Sequence, residues 1–545
     1  MKKALMLRSF LAASTLSLGS VALAGSAGAT NFTLSMYVGT KTDAVTNTTI
    51  STWLSDAHSA PTWQALTDAT NPTSGALYAA YLDCHAASNT DCTLRETVAT
   101  SLVSQTWFFQ SVAKAAIAGD LAETYGCLMG NTTDYTCALD GYTVDSMSAA
   151  DAQYATYDLT NPNSEVVADL TAGPSVWGAY SRVVINFTQL KATYTISQSS
   201  GGAINTDLDT NLNIVGRGTG NTVITGDGNT NAFVQDYGTG NPNSLYLQDM
   251  TFKDFTYAGI GSVIEASGNA TTTLVNVSFK DNETTNGSNG TVFSGGTLNV
   301  TGGSFINNIT GNGGAIYMYN GDALNITGVE FSGNSADNGP GGAMYVNNTP
   351  FAIANSSFDH NFANANDDGA AFALGGSTGT IYNTTVFQNS ATAYAAISIW
   401  GSTVTLLNDT IVGNQAIHGA AGLQLNSSDT ITMGSTLLLD NMTAGAQANC
   451  STFASPLVFT SLGGNIVSKG MAGGCRFGSH DKFVTSYKLG KYGFHGGMAP
   501  TIPLVAKSVG TAFAPRATCQ TKDARGVSRG TTGTCDAGAY QVTKK

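Results

Sequence analysis

In the middle of the chain an apolar residue followed three positions later by asparagine recurs seven times, at Phe279/Asn282, Phe305/Asn308, Phe331/Asn334, Phe358/Asn361, Val386/Asn389, Ile411/Asn414 and Leu438/Asn441. Successive asparagines are separated by 26, 26, 27, 28, 25 and 27 residues. A fixed period in this range, in a Gly/Asn/Thr-rich stretch almost without helix signals, is the trace left by a solenoid, in which each repeat buries its apolar side against its neighbours. Phe252, 27 residues before Phe279, extends the apolar column, although Phe255 stands where the asparagine would be.

A second motif keeps step with the first: Gly313-Gly314-Ala315-Ile316, Gly341-Gly342-Ala343-Met344, Asp368-Gly369-Ala370-Ala371 and a looser Tyr394-Ala395-Ala396-Ile397. Aligned on these, Ile316, Met344, Ala371, Ile397 and Leu423 form one column, and Met318, Val346, Ala373, Ile399 and Leu425 another. Both are apolar and two residues apart, so the alternation of a strand puts them on its buried side. The repeat then matches one coil of a right-handed parallel β-helix, about ten coils in all. The asparagines are expected in a turn, where the side chain tolerates unusual backbone angles and bonds the backbone of neighbouring coils. The intervening columns, Tyr317, Tyr345, Phe372, Ser398 and Gln424 beside Tyr319, Asn347, Leu374, Trp400 and Asn426, are expected to face outward. The candidate ligand-binding feature is the resulting aromatic stripe, with Tyr317, Tyr319, Tyr345, Phe372, Leu374 and Trp400 as its residues.

The chain has 545 residues, and a solenoid reaches that length without a thick core. Residues 1–29 carry Lys2, Lys3 and Arg8, an apolar run from Phe10 to Leu23, and small-x-small exits at Ala22-Leu23-Ala24 and Ala27-Gly28-Ala29, the pattern of a bacterial secretory leader. No later stretch has the length of a membrane span, so full export is expected, to the cell surface or the medium, with the periplasm still open. Removal of the leader would move the formal net charge from −13 to −16, which excludes nucleic acid as a natural partner. Charged residues are 11% of the chain and hydrophobic ones 42%, so solubility falls to Asn, Thr, Ser and Gly. All eight cysteines follow the leader. Locality favours pairing Cys84 with Cys92, Cys127 with Cys137, Cys450 with Cys475, and Cys519 with Cys535. None falls between 138 and 449, so both ends are expected to be stapled and the repeats not. Boundaries follow: a leader at 1–29, an N-terminal cap with a helical insertion at 30–180, repeats at 181–445, and a C-terminal end and cap at 446–545. The helix signals in the cap are the capping box Thr93-Leu94-Arg95-Glu96 ahead of Leu94, Val98 and Leu102 at helical spacing, and a stretch from Trp107 to Leu121.

Three resemblances cover most of the chain. The pairing of Gly-Gly-Ala-Ile with Phe-x-x-Asn, as at 313–316 and 305–308, resembles the repeats of polymorphic outer membrane proteins, which are β-helical adhesins. Cys92-Thr93-Leu94-Arg95-Glu96, followed by Arg182-Val183-Val184-Ile185-Asn186-Phe187, Thr193-Tyr194-Thr195-Ile196 and Leu212-Asn213-Ile214-Val215-Gly216, resembles the CSLREA-type N-terminal cap of secreted β-helix proteins, with Thr where Ser is usual and roughly 80 extra residues after the cap helix. Ser461-Leu462-Gly463-Gly464-Asn465, Asp523-Ala524-Arg525-Gly526 and Cys535-Asp536-Ala537-Gly538-Ala539-Tyr540 are similar to the C-terminal segment of choice-of-anchor β-helix proteins. The resemblances imply an exported, surface-associated β-helix of pectate-lyase-like architecture. The 104 residues after Asn441 are too few for the membrane barrel of an autotransporter, and no sorting signal is read at the end.

Enzymes also use this scaffold. A lyase of the pectate type needs an Arg or Lys base, and residues 281–468 contain neither. A glycoside hydrolase needs paired carboxylates; Asp359, Asp367 and Asp368 lie in one repeat, but a solvated turn is their default reading. His360 and His418 lack metal-ligand spacing, and no nucleophile elbow with a matched histidine occurs. The expectation is therefore a disulfide-capped, monomeric, non-catalytic surface protein of adhesin type. It needs no cofactor or metal, and it contacts glycans or other cell-surface components.

Overall fold

The computed structural model describes residues 32–38, 93, 94, 97, 98, 142–144, 181–200, 203–206, 211–235, 244–286, 289–364, 369–426, 428–452, 457–469, 475–530 and 533–542. The expected leader, the stretch 107–121 expected to be helical, Asp367, Asp368 and the cysteines Cys84, Cys92, Cys127 and Cys137 lie outside these. The chain winds into an all-β parallel solenoid of about nine turns, built on a 22-stranded, a ten-stranded and a nine-stranded sheet. They are called here the long, the second and the short sheet. Among the described residues, helical backbone is confined to Leu94, Thr97 and Val98 and to the 3-10 turns Gln198–Ser200 and Arg516–Thr518.

The Phe-x-x-Asn motif is a corner of this coil. The apolar residue points into the core, the next one points out of the long sheet, and the third takes left-handed backbone: Asp254, Asp281, Asn307, Gly333, His360, Gln388, Gly413 and Asp440 all have φ between 48° and 65° or, at Gly413, 70°. The reversal turns the asparagine inward, where it is buried. The unusual angle expected at the asparagine therefore belongs to its predecessor. The expected bonding to neighbouring coils is present in full. Each Nδ2 donates to the Oδ1 of the asparagine one coil on, at 2.8–3.0 Å from Asn282 through Asn308, Asn334, Asn361, Asn389 and Asn414 to Asn441, and Asn441 ends the ladder by donating at 3.0 Å to Asn449, eight residues on beyond a short hairpin. Each Nδ2 also donates to the carbonyl of the apolar residue in the coil before, such as Phe331 for Asn361 at 3.0 Å. A buried amide is costly unless satisfied, and the ladder satisfies every rung through its neighbours.

Beside the ladder runs a column of rings, Phe252, Phe279, Phe305, Phe331 and Phe358, stacked at 5.5, 4.6, 5.0 and 4.3 Å within 16° of parallel. All five are fully buried. At roughly 1.5–3 kcal/mol per buried large side chain, this column is a principal source of cohesion between coils.

At the N-terminal end, Phe32–Val38 pairs in parallel with Ser181–Phe187 and antiparallel with Tyr142–Val144. Thr97 donates its N–H to the Thr93 carbonyl at 2.9 Å, closing a helical turn that sends Leu94 and Val98 into the solenoid core. Those two are the helical-spacing pair expected of the cap. At the other end the rungs run past 445, through Cys450–Thr452, Val458–Gly463 and Ile466–Ser468 to Lys482–Val484, because each still finds a parallel partner.

The expected C-terminal cap divides in two. Cys475, bonded to Cys450, joins the core with Leu457, Phe459 and Phe477 packed against it, which closes the last coil. Residues from 485 onward instead run back along the outside of the long sheet. There the outward columns become apolar, at Phe387, Val412, Leu437, Leu439 and Ile466, and they form a second core with Leu489, Tyr492, Ile502, Leu504, Phe513, Ala514 and Ala537. Corner side chains fasten the segment: Asn383 donates to the Lys522 carbonyl at 2.9 Å, Gln520 N–H donates to Asn408 at 2.7 Å, and Ser435 meets Thr518 at 2.6 Å. Cys519 and Cys535 are bonded within it.

Candidate functional site

In the second sheet the strands Val292–Ser294, Ile316–Tyr319, Met344–Asn347, Phe372–Gly375, Ile397–Trp400 and Leu423–Leu425 stack in parallel. Their register runs Ile316, Met344, Phe372, Ile397 and Leu423 along one inward column and Met318, Val346, Leu374 and Ile399 along the other. Phe372 and Leu374 are therefore core residues, both 0% exposed, and not part of an outward stripe. Phe372 meets Phe358 across the core with centroids 4.1 Å apart. The expected register was one residue off in this coil. The slot of Gly341-Gly342-Ala343-Met344 is filled by Gly369-Ala370-Ala371-Phe372, as the left-handed φ of 80° at Gly341 and 76° at Gly369 and the bond from Gly342 N–H to the Gly369 carbonyl show.

The outward columns are accordingly Phe293, Tyr317, Tyr345, Ala373, Ser398 and Gln424, and beside them Tyr319, Asn347, Gly375 and Trp400. Tyr317, Tyr319, Tyr345 and Trp400 are where the sequence places them, on the outer face. Phe293 joins them from the coil before, and alternation along Val292-Phe293-Ser294 is the signal that marks it. Neighbouring centroids are 5.7 Å apart for Phe293 and Tyr317, 6.1 Å for Tyr317 and Tyr319, and 5.1 Å for Tyr317 and Tyr345. The coil with Ala373 and Gly375 has no ring to offer, and Trp400 lies back over it to come within 5.8 Å of Tyr345. A Cβ on Gly375 would stand 2.5 Å from the Trp400 indole nitrogen, so only glycine admits this pose.

The rings form one unbroken platform. Tyr319 is 48% exposed and the other four are half-buried. Burial, then the phenols of Tyr345 and Tyr319, push Tyr317 up to about 12. Tyr345 is raised too, chiefly by burial, against an opposing hydrogen bond from Asn347 to its hydroxyl at 2.9 Å. Both phenols stay un-ionised at any physiological pH. Amides edge the platform, with Asn348 donating to Asn320 at 3.0 Å on the exposed side.

A second cluster lies on the long sheet under the C-terminal segment. Asp359, 4% exposed, accepts from Ser332 at 2.9 Å, contacts His360 Nδ1 at 2.9 Å and accepts a short hydrogen bond from the Tyr492 hydroxyl. Glu330 is raised by burial first and by Asp359 second. Both Asp359 oxygens are engaged, so the aspartate serves to dock Tyr492, whose ring also stacks on Phe387 at 5.0 Å. The stretch 281–468 has no Lys or Arg, and two arginines of this same segment that reach the long sheet have partners of their own. Arg525 pairs with Asp523 at 2.6 Å, and Arg529, 3% exposed, donates to Asn383 and to the Asp536 and Gly538 carbonyls. Among the described residues no cluster could hold a metal ion, and no helix is long and apolar enough to cross a membrane.

Residues 302–476 match the family described as a right handed beta helix region. The stack is a right-handed β-helix. The matched span contains four of the five platform rings and all but the first rung of the asparagine ladder. No curated protein and no solved structure matches the chain.

Proposed function

We propose that this β-helix is an exported, non-catalytic binding or display protein whose second-sheet face contacts glycans or another surface. The observation that carries the reading is the platform of Phe293, Tyr317, Tyr319, Tyr345 and Trp400, five rings in a continuous run of tilted and stacked contacts on an outer face. Flat rings with polar tips stack on sugar faces and need no charge to do so. A solenoid is suited to this because it repeats a side-chain position every coil and so builds extended surfaces. The test is retention of the purified protein on a glycan array. Trp400→Ala with Tyr345→Ser should abolish it while the circular dichroism stays native, and retention unchanged by the pair refutes the reading.

An enzymatic reading, polysaccharide cleavage on the same scaffold, is favoured by one observation: Glu330 is a carboxyl held protonated to higher pH beside Asp359. It requires release of reducing ends from a polysaccharide and loss of that release in Glu330→Gln. A spacer with no ligand would instead show neither retention nor cleavage.

A further inference from the structure

We infer that the platform takes an uncharged, extended polysaccharide lying along the solenoid axis. This rests on the glycan-binding reading above and narrows it.

Direction comes first. The ring centroids advance from Phe293 to Tyr317 to Tyr345 and then, past one coil, to Trp400, in steps of 5.7, 5.1 and 5.8 Å. Each step crosses to a later coil, so the line they draw follows the stacking direction. Tyr319 broadens it sideways, 6.1 Å from Tyr317, and Trp400 rises from that same neighbouring column. A single sugar covers one or two rings. A ligand that uses the whole row is long in one direction and offers apolar faces at a repeated spacing, which is the shape of an extended polymer. The pose of Trp400 over Gly375 has the same consequence, because it carries the row across the one coil that lacks a ring.

Charge comes second. Every ring lies between 281 and 468, where the chain has no Lys or Arg. A uronate, sialic acid or sulfate is held by charge-assisted bonds from such residues, and a desolvated anion without them is costly. Glu265 stands in the same outward column, one coil before Phe293, and repels anions further. Arg525 and Arg529 of the C-terminal segment lie by the long sheet, on another face of the coil, and are engaged there. Tyr317 and Tyr345 stay neutral, and the amides of Asn320, Asn347 and Asn348 beside the rings supply donors and acceptors matched to hydroxyls. An uncharged platform with an amide edge complements a neutral polymer.

The experiment is calorimetric titration of the full chain, and of Trp400→Ala and Tyr319→Ser, with gluco- and manno-oligosaccharides as disaccharide and hexasaccharide, and with polygalacturonate and heparin. Expected are binding of at least one neutral hexasaccharide, about tenfold or more weaker binding of its disaccharide and of either variant, and none of the acidic polymers. Acidic-polymer binding that the variants lose overturns the neutral class and leaves the glycan reading standing. Equal affinity for disaccharide and hexasaccharide overturns the extended ligand alone. Binding of no saccharide, or binding that both variants keep, overturns the glycan reading and this inference together.

Discussion

Asp409 stands where its neighbours along the stack carry hydroxyls, and replacing it with threonine should stabilise the protein. In this column Ser356 donates to the Ala354 carbonyl at 2.7 Å, Thr384 to Tyr382 at 3.2 Å and Thr436 to Gly434 at 3.1 Å, each reaching two residues back. Asp409 keeps half of the pattern. Its Oδ1 accepts the Thr384 N–H at 2.9 Å, but Oδ2 is buried without a partner, because a carboxylate cannot donate to the carbonyl of Leu407. Burial raises its pKa well above the usual carboxylate value, outweighing the opposing backbone bonds and Arg529. A folded-state pKa above the unfolded one means that the native state binds the extra proton. Stability from this group is therefore full below about pH 3.9 and is lost as pH rises toward the folded pKa. The slope in that window is at most about 1.4 kcal/mol per pH unit. Asp409→Thr supplies the missing donor at every pH. Near pH 8 it should gain about 1–3 kcal/mol, the cost of leaving a buried polar group unsatisfied, and near pH 4 it should gain little. Denaturant titration at both pH values, with exchange of the Thr384 amide as a local reporter, measures the difference. A variant less stable than the parent at pH 8, or a gain independent of pH, refutes the argument.

Asn361→Ala breaks the ladder at its centre, removing donors to Phe331 and Asn389 and the acceptor of the Asn334 side-chain and backbone N–H groups; a loss of about 3 kcal/mol or more is expected in denaturant unfolding. Gly375→Val has no room beneath the Trp400 indole and should mimic Trp400→Ala in glycan retention while the far-ultraviolet circular dichroism stays native. Cys519→Ser with Cys535→Ser releases a 16-residue closure worth about 3 kcal/mol, and limited proteolysis should then cut beyond residue 485 while the coils stay intact.

The solenoid is legible in the sequence because its period is a local property. Phe305 and Asn308 state their roles within one turn, and the next turn repeats them. The two disulfides among the described residues are the expected neighbours, since both close short loops. Phe372 and Leu374 were misplaced because coils differ in length, and matching Asp368-Gly369 to Gly341-Gly342 by residue type ignored the left-handed glycine that marks the corner. Two large apolar residues flanking Ala373 point to the correct register. The docking of the C-terminal segment is not readable in advance, because its contacts join residues far apart, as with Asn383 and Lys522, 139 positions away. Its one local trace is the change of the outward positions to Phe387, Val412 and Leu439, which a solvent-facing strand would not carry.

That docked segment alters how the stack can come apart. A bare solenoid couples each coil only to the next, so its ends melt independently. Here a single chain stretch grips coils at Asp359, Asn383, Asn408 and Ser435 at once, so no one of them loosens without lifting it from the others. The segment is also synthesised after the coils it spans. Winding can therefore proceed rung by rung, and cooperativity is imposed only when the finished stack is clasped from the side.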